Sequence, residues 1–119
     1  MEDLRTLDLP RSAGDGAPKE VRVIDDNPHL KLVLVILRRG AVLPEHSTPM
    51  PITLQALSGS GTVRVGDRAE PLGPGRLVLV APGASHEVTA AAETDLVVLL
   101  HQVKAARHGG ERPWTGELG

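Results

Sequence analysis

The sequence predicts an all-β fold, a small antiparallel barrel or sandwich, on three observations. Short runs rich in Val, Leu and Ile recur through residues 20–103, each bounded by Gly, Pro, Asn or Asp. No run long enough for a helix sustains a 3.6-residue period behind a capping residue. The length, 119 residues, suits a single domain of ordinary size.

Residues 1–19 mix charge with Pro10, Gly14, Gly16 and Pro18 and have no steady period, which predicts a poorly ordered arm or an added edge strand. Strands are expected at Val21–Ile24 and Leu30–Leu37, with a turn at Asp25-Asp26-Asn27-Pro28 between them. Arg38-Arg39 reads as a solvated strand end. After the linking segment Gly40 to Pro51, Ile52–Leu57 and Thr62–Val65 flank Ser58-Gly59-Ser60-Gly61, whose composition is that of a hairpin turn. Thr62-Val63-Arg64-Val65 alternates and should show Arg64 to solvent. Arg76–Val80, Glu87–Thr89 and Leu96–Gln102 complete the set, and Ala90-Ala91-Ala92-Glu93 could form one helical turn. The barrel therefore spans residues 20–103, and residues 104–119 form a C-terminal tail.

Two of these runs, Leu32 to Leu37 and Leu96 to Leu100, are apolar at every position, so both of their faces must be covered. One face meets the barrel interior. The other needs an extra strand, the tails or a second subunit, and for so short a chain a homodimer is the economical expectation.

Composition narrows the chemistry. With 13 basic and 15 acidic residues the formal charge is −2, and the single aromatic residue is Trp114, so neither charge nor base stacking favours a nucleic-acid partner. The absence of Cys removes disulfides, thiolate nucleophiles and Cys-ligated zinc. The N-terminus, Met1-Glu2-Asp3-Leu4-Arg5, is acidic, and no apolar run approaches a membrane span, so a cytoplasmic protein without a membrane partner is expected. There is no phosphate-binding glycine loop, dinucleotide fingerprint or His-Glu-x-x-His pair.

Histidine is left to carry the chemistry. His29, in a turn, and His108, in the tail, read as surface residues. His46 follows Gly40-Ala41-Val42-Leu43-Pro44-Glu45, and His86 follows the Pro82-Gly83 turn at the start of a strand. These two segments and the Gly-punctuated hairpin between them resemble the two sequence motifs of the cupin superfamily (RmlC-like, cupin type-2 conserved barrel), small double-stranded β-helix or jelly-roll barrels. In the first motif Gly40, His46 and Gly59 match; Thr48 stands where the second His belongs and Ile52 where the Glu belongs. In the second, Gly75, Gly83 and His86 match, Ala81 replaces the Pro, and Ala90 replaces the Asn.

The resemblance implies the fold, and a metal site that is degenerate. A typical cupin holds a divalent ion such as Zn, Ni, Mn or Fe with three His and a Glu, of which only His46 and His86 are kept; Thr and Ile are poor ligands for such an ion. Gln55 and His101 are the candidates for a third ligand, polar residues inside apolar strands. Alternation argues against Gln55, because residues 52, 54 and 56 share the inward face, unless a bulge at Pro49-Met50-Pro51 slips the register. His46 and His86 therefore have three readings: structural imidazoles bonded to backbone or water, ligands of a metal with an unusual third partner, or a metal-free acid–base pair. Three functions are open to such a chain: a non-enzymatic barrel that binds or senses a small molecule through His46, Thr48, Gln55 and His86, a metal-dependent oxygenase or isomerase, and a structural role as a dimer module. With no aromatic wall available, a small aliphatic ligand is favoured over a flat aromatic or sugar.

Overall fold

The computed structural model describes residues 3–104, so His108, Trp114 and all of the expected tail beyond Lys104 lie outside the described residues. Nine strands form: β1 (Lys19–Asp26), β2 (Leu30–Leu37), β3 (Val42–His46), β4 (Ile52–Ser58), β5 (Gly61–Val65), β6 (Arg68–Leu72), β7 (Leu77–Val80), β8 (His86–Ala90) and β9 (Leu96–Val103). They make two antiparallel sheets, β1-β2-β9-β4-β7 and β3-β8-β5-β6, the arrangement of a jelly roll.

Alternation within each strand builds the space between the sheets. Val33, Val35 and Leu37 of β2, Leu54 of β4, and Val98 and Leu100 of β9 project inward from the five-stranded sheet. Val63, Leu72, Val88 and Ala90 meet them from the other sheet. Every residue of this core is aliphatic, so its order comes from the fit of branched side chains and not from ring stacking.

Two strands, β3 and β6, go beyond the seven that the sequence predicts. Each contains a proline, Pro44 or Pro71, and each is an edge of the four-stranded sheet. Proline cannot donate to a ladder but is tolerated at an edge, so local composition disguised strands that pairing nonetheless forms. The Gly66-Asp67 connection between β5 and β6 is a two-residue hairpin loop, with Gly66 at φ 59° supplying the left-handed position. At the expected helical turn, Ala90 instead ends β8 and the Thr94 N–H donates to the Ala91 carbonyl (3.0 Å), which is a β-turn. Gly59 is needed for space as well as for its φ of 79°, since a Cβ there would lie 1.7 Å from the Asp95 carbonyl oxygen.

The outer face of β2 and β9 is covered from within the chain. Leu34, Ile36 and Val97 form a second buried cluster against Ala13 of the N-terminal arm, Ile24 of β1 and Leu57 of β4. Arg38 pins the arm in place: its guanidinium donates to the Ala13 (2.7 Å), Gly14 (3.0 Å) and Ala17 carbonyls and pairs with Glu20 at 3.3 Å. Its side chain is only 10% exposed, so the expected solvated strand end is instead the anchor of the arm. Residues 3–18 form no strand, and the added edge strand begins at Lys19. Arg38→Ala is expected to cost about 2 kcal/mol, the scale of hydrogen bonds from a charged group. It should also open residues 13–17 to limited proteolysis, whereas exposed Arg39→Ala should change neither the urea midpoint nor the cleavage pattern.

Candidate functional site

The register of β3 against β8 determines where His46 points. Val42 lies opposite Thr89 and Leu43 opposite Val88, yet His46 lies opposite His86, so β3 holds one extra residue at Pro44-Glu45. Without that bulge His46, three positions after the inward Leu43, would face outward. With it, His46 shares the inward face with His86, which is how bulges re-aim side chains. The segment Pro49-Met50-Pro51, where the sequence reading placed a register slip, instead lies in the loop before β4, and the irregularity of β4 falls at Ala56/Ser58. A hydrogen bond from the Gly83 N–H to the Thr48 carbonyl (2.8 Å) ties this loop to the Pro82-Gly83 turn and draws the two histidine segments together. Across the same junction Ser85 Oγ donates to Glu45 Oε1 (2.8 Å).

The two imidazoles sit 4.2 Å apart between centroids, with their planes at 59°. His86 is 1% exposed, while His46 faces solvent at the barrel end. Each ring is held through Nδ1 by the backbone carbonyl two residues earlier, Pro44 for His46 (2.9 Å) and Ala84 for His86 (3.1 Å). A carbonyl oxygen only accepts, so Nδ1 carries the hydrogen, and in the neutral rings both Nε2 atoms present lone pairs. His86 Nε2 is buried and is the one such side-chain polar atom without a partner among the described residues. Leaving a buried polar atom unmatched costs on the order of 1–3 kcal/mol, so this nitrogen is an acceptor in want of a donor. Burial holds the His86 pKa below its ordinary value; the Ala84 carbonyl works against that shift, and the His46 ring adds to it.

The other candidates do not converge on this pair. Gln55 is exposed and His101 half-buried on the outer face of the five-stranded sheet, with inward Leu54 and Leu100 beside them, so neither can serve as a third ligand. His101 Nδ1 instead meets Thr53 Oγ1 at 3.0 Å across the β4–β9 ladder. Thr48 Oγ1 accepts from the Met50 N–H at 3.4 Å, and Ile52, at the family's carboxylate position, is buried in the core. His29 is exposed, as expected, with its N–H on Asn27 Oδ1. No group of three or more His, Cys, Asp or Glu converges among the described residues. Two imidazoles alone fill half of a tetrahedral shell, so the donors present do not fit a tightly held resident ion.

A cavity of about 350 Å³ lies beside the pair and not at it, between β5, β6 and β7. Ala84, whose carbonyl holds His86, is part of its wall. Its charged residues, Arg68, Glu70 and Arg76, were missed as candidates because β6 was not read as a strand. Their signal is the alternation of Arg68, Glu70 and Leu72, which share the inward face opposite Val65, Val63 and Gly61.

The sequence profile of the family described as the cupin domain matches residues 33–101. No curated protein matches the chain in sequence. Among solved structures, a cupin superfamily protein from Desulfitobacterium hafniense superposes with a TM-score of 0.70 at 12% identity, covering 86% of this chain and 95% of that one. An RmlC-like cupin family protein from Methanocaldococcus jannaschii gives 0.67 at 18%, over 87% and 93% of the two chains. The DMSP lyase DddQ from Ruegeria pomeroyi gives 0.66 at 19%, over 72% of this chain and 47% of the lyase. At these identities the likeness concerns the fold. Among the described residues no helix is long and apolar enough to cross a membrane.

The depressed His86 pKa fixes the sign of a pH effect. Above about 6.5, the ordinary imidazole value, neither folded nor unfolded chain binds the proton and stability is full. Below it the unfolded chain protonates first, so stability should fall until the lower folded pKa is passed. Urea midpoints between pH 8 and 5 in chelator-treated buffer should show this decline, and His86→Leu should flatten it.

Proposed function

The chain belongs to the cupin family, and from that premise we propose that it is a non-enzymatic binding or sensing module that takes a small molecule at its histidine pair. The observation that carries this reading is the unpartnered His86 Nε2, set beside His46 with both Nδ1 atoms committed to the backbone. A guest that offers an O–H or N–H to this nitrogen would satisfy it and recover the cost of leaving it bare. The aliphatic surroundings favour a small guest of mostly apolar body, and the lack of an aromatic face disfavours flat sugars and arenes. The solvent-facing His46 marks the entrance.

A metal-dependent cupin enzyme, of oxygenase or isomerase type, is the second reading, and one observation favours it: both Nε2 lone pairs are presented in the tautomer that metal-ligating histidines adopt. Against it stand Ile52 in the core and Thr48 engaged with its own turn. A homodimer also belongs to the proposal. Val21 and Val23 on the edge strand β1 are more than half exposed, an apolar strip that a second copy would cover.

Thermal melts of chelator-treated protein against small aliphatic alcohols, diols, acids and sugars should show a rise for one hydrogen-donating class, lost in His86→Leu. Elemental analysis after loading with Zn, Ni, Mn or Fe(II) should find well below one equivalent. A stoichiometric ion, released by His46→Ala or His86→Ala, would establish the second reading in place of the first.

A further inference from the structure

The cavity between β5, β6 and β7 has a chemistry of its own. Its walls are the inward side chains Val63 and Val65 from one sheet and Val78 and Val80 from the other. None of these carries a polar side-chain atom, so a guest lying among them must be apolar along its length. The volume, about 350 Å³, is at the lower end of the range for small-molecule sites, which limits the guest to a few carbons. The charged part of the lining is Arg68, Glu70 and Arg76.

These three side chains are arranged asymmetrically. Glu70 Oε1 takes a hydrogen bond from Arg76 Nη2 at 2.8 Å and lies 3.6 Å from Arg68 Nη2. One carboxylate oxygen thus engages both guanidiniums, and one positive charge is left over. Glu70 is already paired with two guanidiniums through Oε1, so a basic guest would add a third cation to a cluster that carries one positive charge in excess. Each guanidinium, by contrast, has several N–H donors in a planar fork suited to a carboxylate. The two Arg side chains are 80% and 47% exposed, so they hold an anion at the mouth without burying its charge.

We propose that this cavity is a binding site for a short aliphatic carboxylate, its chain among the four valines and its head group on the N–H donors of Arg68 and Arg76 that Glu70 does not engage. A monoanion balances the excess charge, whereas a dianionic phosphate would overshoot it. The site is separate from the histidine pair and does not rest on the reading given to that pair.

Hexanoate, 1-hexanol and hexylamine, which share a chain and differ in head group, form the test, by isothermal titration at low ionic strength with the full chain. Hexanoate should bind more tightly than hexanol, and the amine should not bind. Arg68→Ala with Arg76→Ala should weaken hexanoate by about tenfold or more while leaving hexanol unchanged, as expected for charge-assisted hydrogen bonds. Both residues are surface-exposed, so the variant should keep the parent melting temperature. Val78→Trp, which fills the cavity, should abolish binding of hexanoate, and His86→Leu should leave hexanoate binding unchanged. Equal affinity for the acid and the alcohol, hexanoate binding insensitive to the arginine pair, or loss of hexanoate binding in His86→Leu would each overturn the inference. Failure on the first two counts leaves the proposed role of the histidine pair standing.

Discussion

The ladder between β2 and β9 is apolar on both faces, and the architecture follows from having to cover it twice. Val33, Val35, Val98 and Leu100 face the second sheet, while Leu34, Ile36 and Val97 face away from it. Each such side chain contributes about 1.5–3 kcal/mol when fully removed from water, so an uncovered outer face would forfeit a large part of a small domain's stability. The cover comes from Ile24 of β1, Leu57 of β4 and Ala13 of an irregular arm without strand pairing of its own. The arm is fixed by Arg38, whose fork satisfies three backbone carbonyls that a β-strand would have paired otherwise.

The covered ladder is a rigid floor, and the chemistry sits on the less regular four-stranded sheet above it. Both edges of that sheet carry proline, and a bulge interrupts β3. These departures from an even ladder are where polar groups gather. The bulge turns His46 inward beside His86, and the hairpin to β6 brings Arg68 and Glu70 onto the inner face beside the valine-lined cavity. A histidine pair that accepts and a guanidinium pair that donates thus lie on one inner surface, separated by the wall that contains Ala84. The two present opposite hydrogen-bonding character, acceptors at the histidines and donors at the arginines.

The histidine pair is economical in how it is prepared. Backbone carbonyls, which the fold must place anyway, hold both Nδ1 atoms, so no side chain is spent on orienting either ring. The consequence is a fixed tautomer and a fixed lone-pair direction. Where the family keeps a carboxylate, Ile52 extends the aliphatic core instead, so the electrostatic grip on a cation is exchanged for packing.

From residues alone, the all-β class, the family, the inward set on β4, the outward Arg64 and the Gly59 turn were all legible. Strand alternation and glycine-dependent turns are local properties, written in neighbouring residues. The positions His46 and His86 were legible too, through the spacing of glycines around them. The rest was decided only by the tertiary structure. The bulge that reorients His46 depends on pairing with β8, and the edge strands β3 and β6 form despite their prolines because a partner supplies their hydrogen bonds from one side. Arg38, which local sequence marks as a solvated end, becomes an anchor only when residues more than twenty positions away fold over it. The apolar runs determined that a cover was needed, but which segments supplied it, like the approach of Arg76 to Glu70 from outside β6, belongs to tertiary packing that no strand pattern encodes.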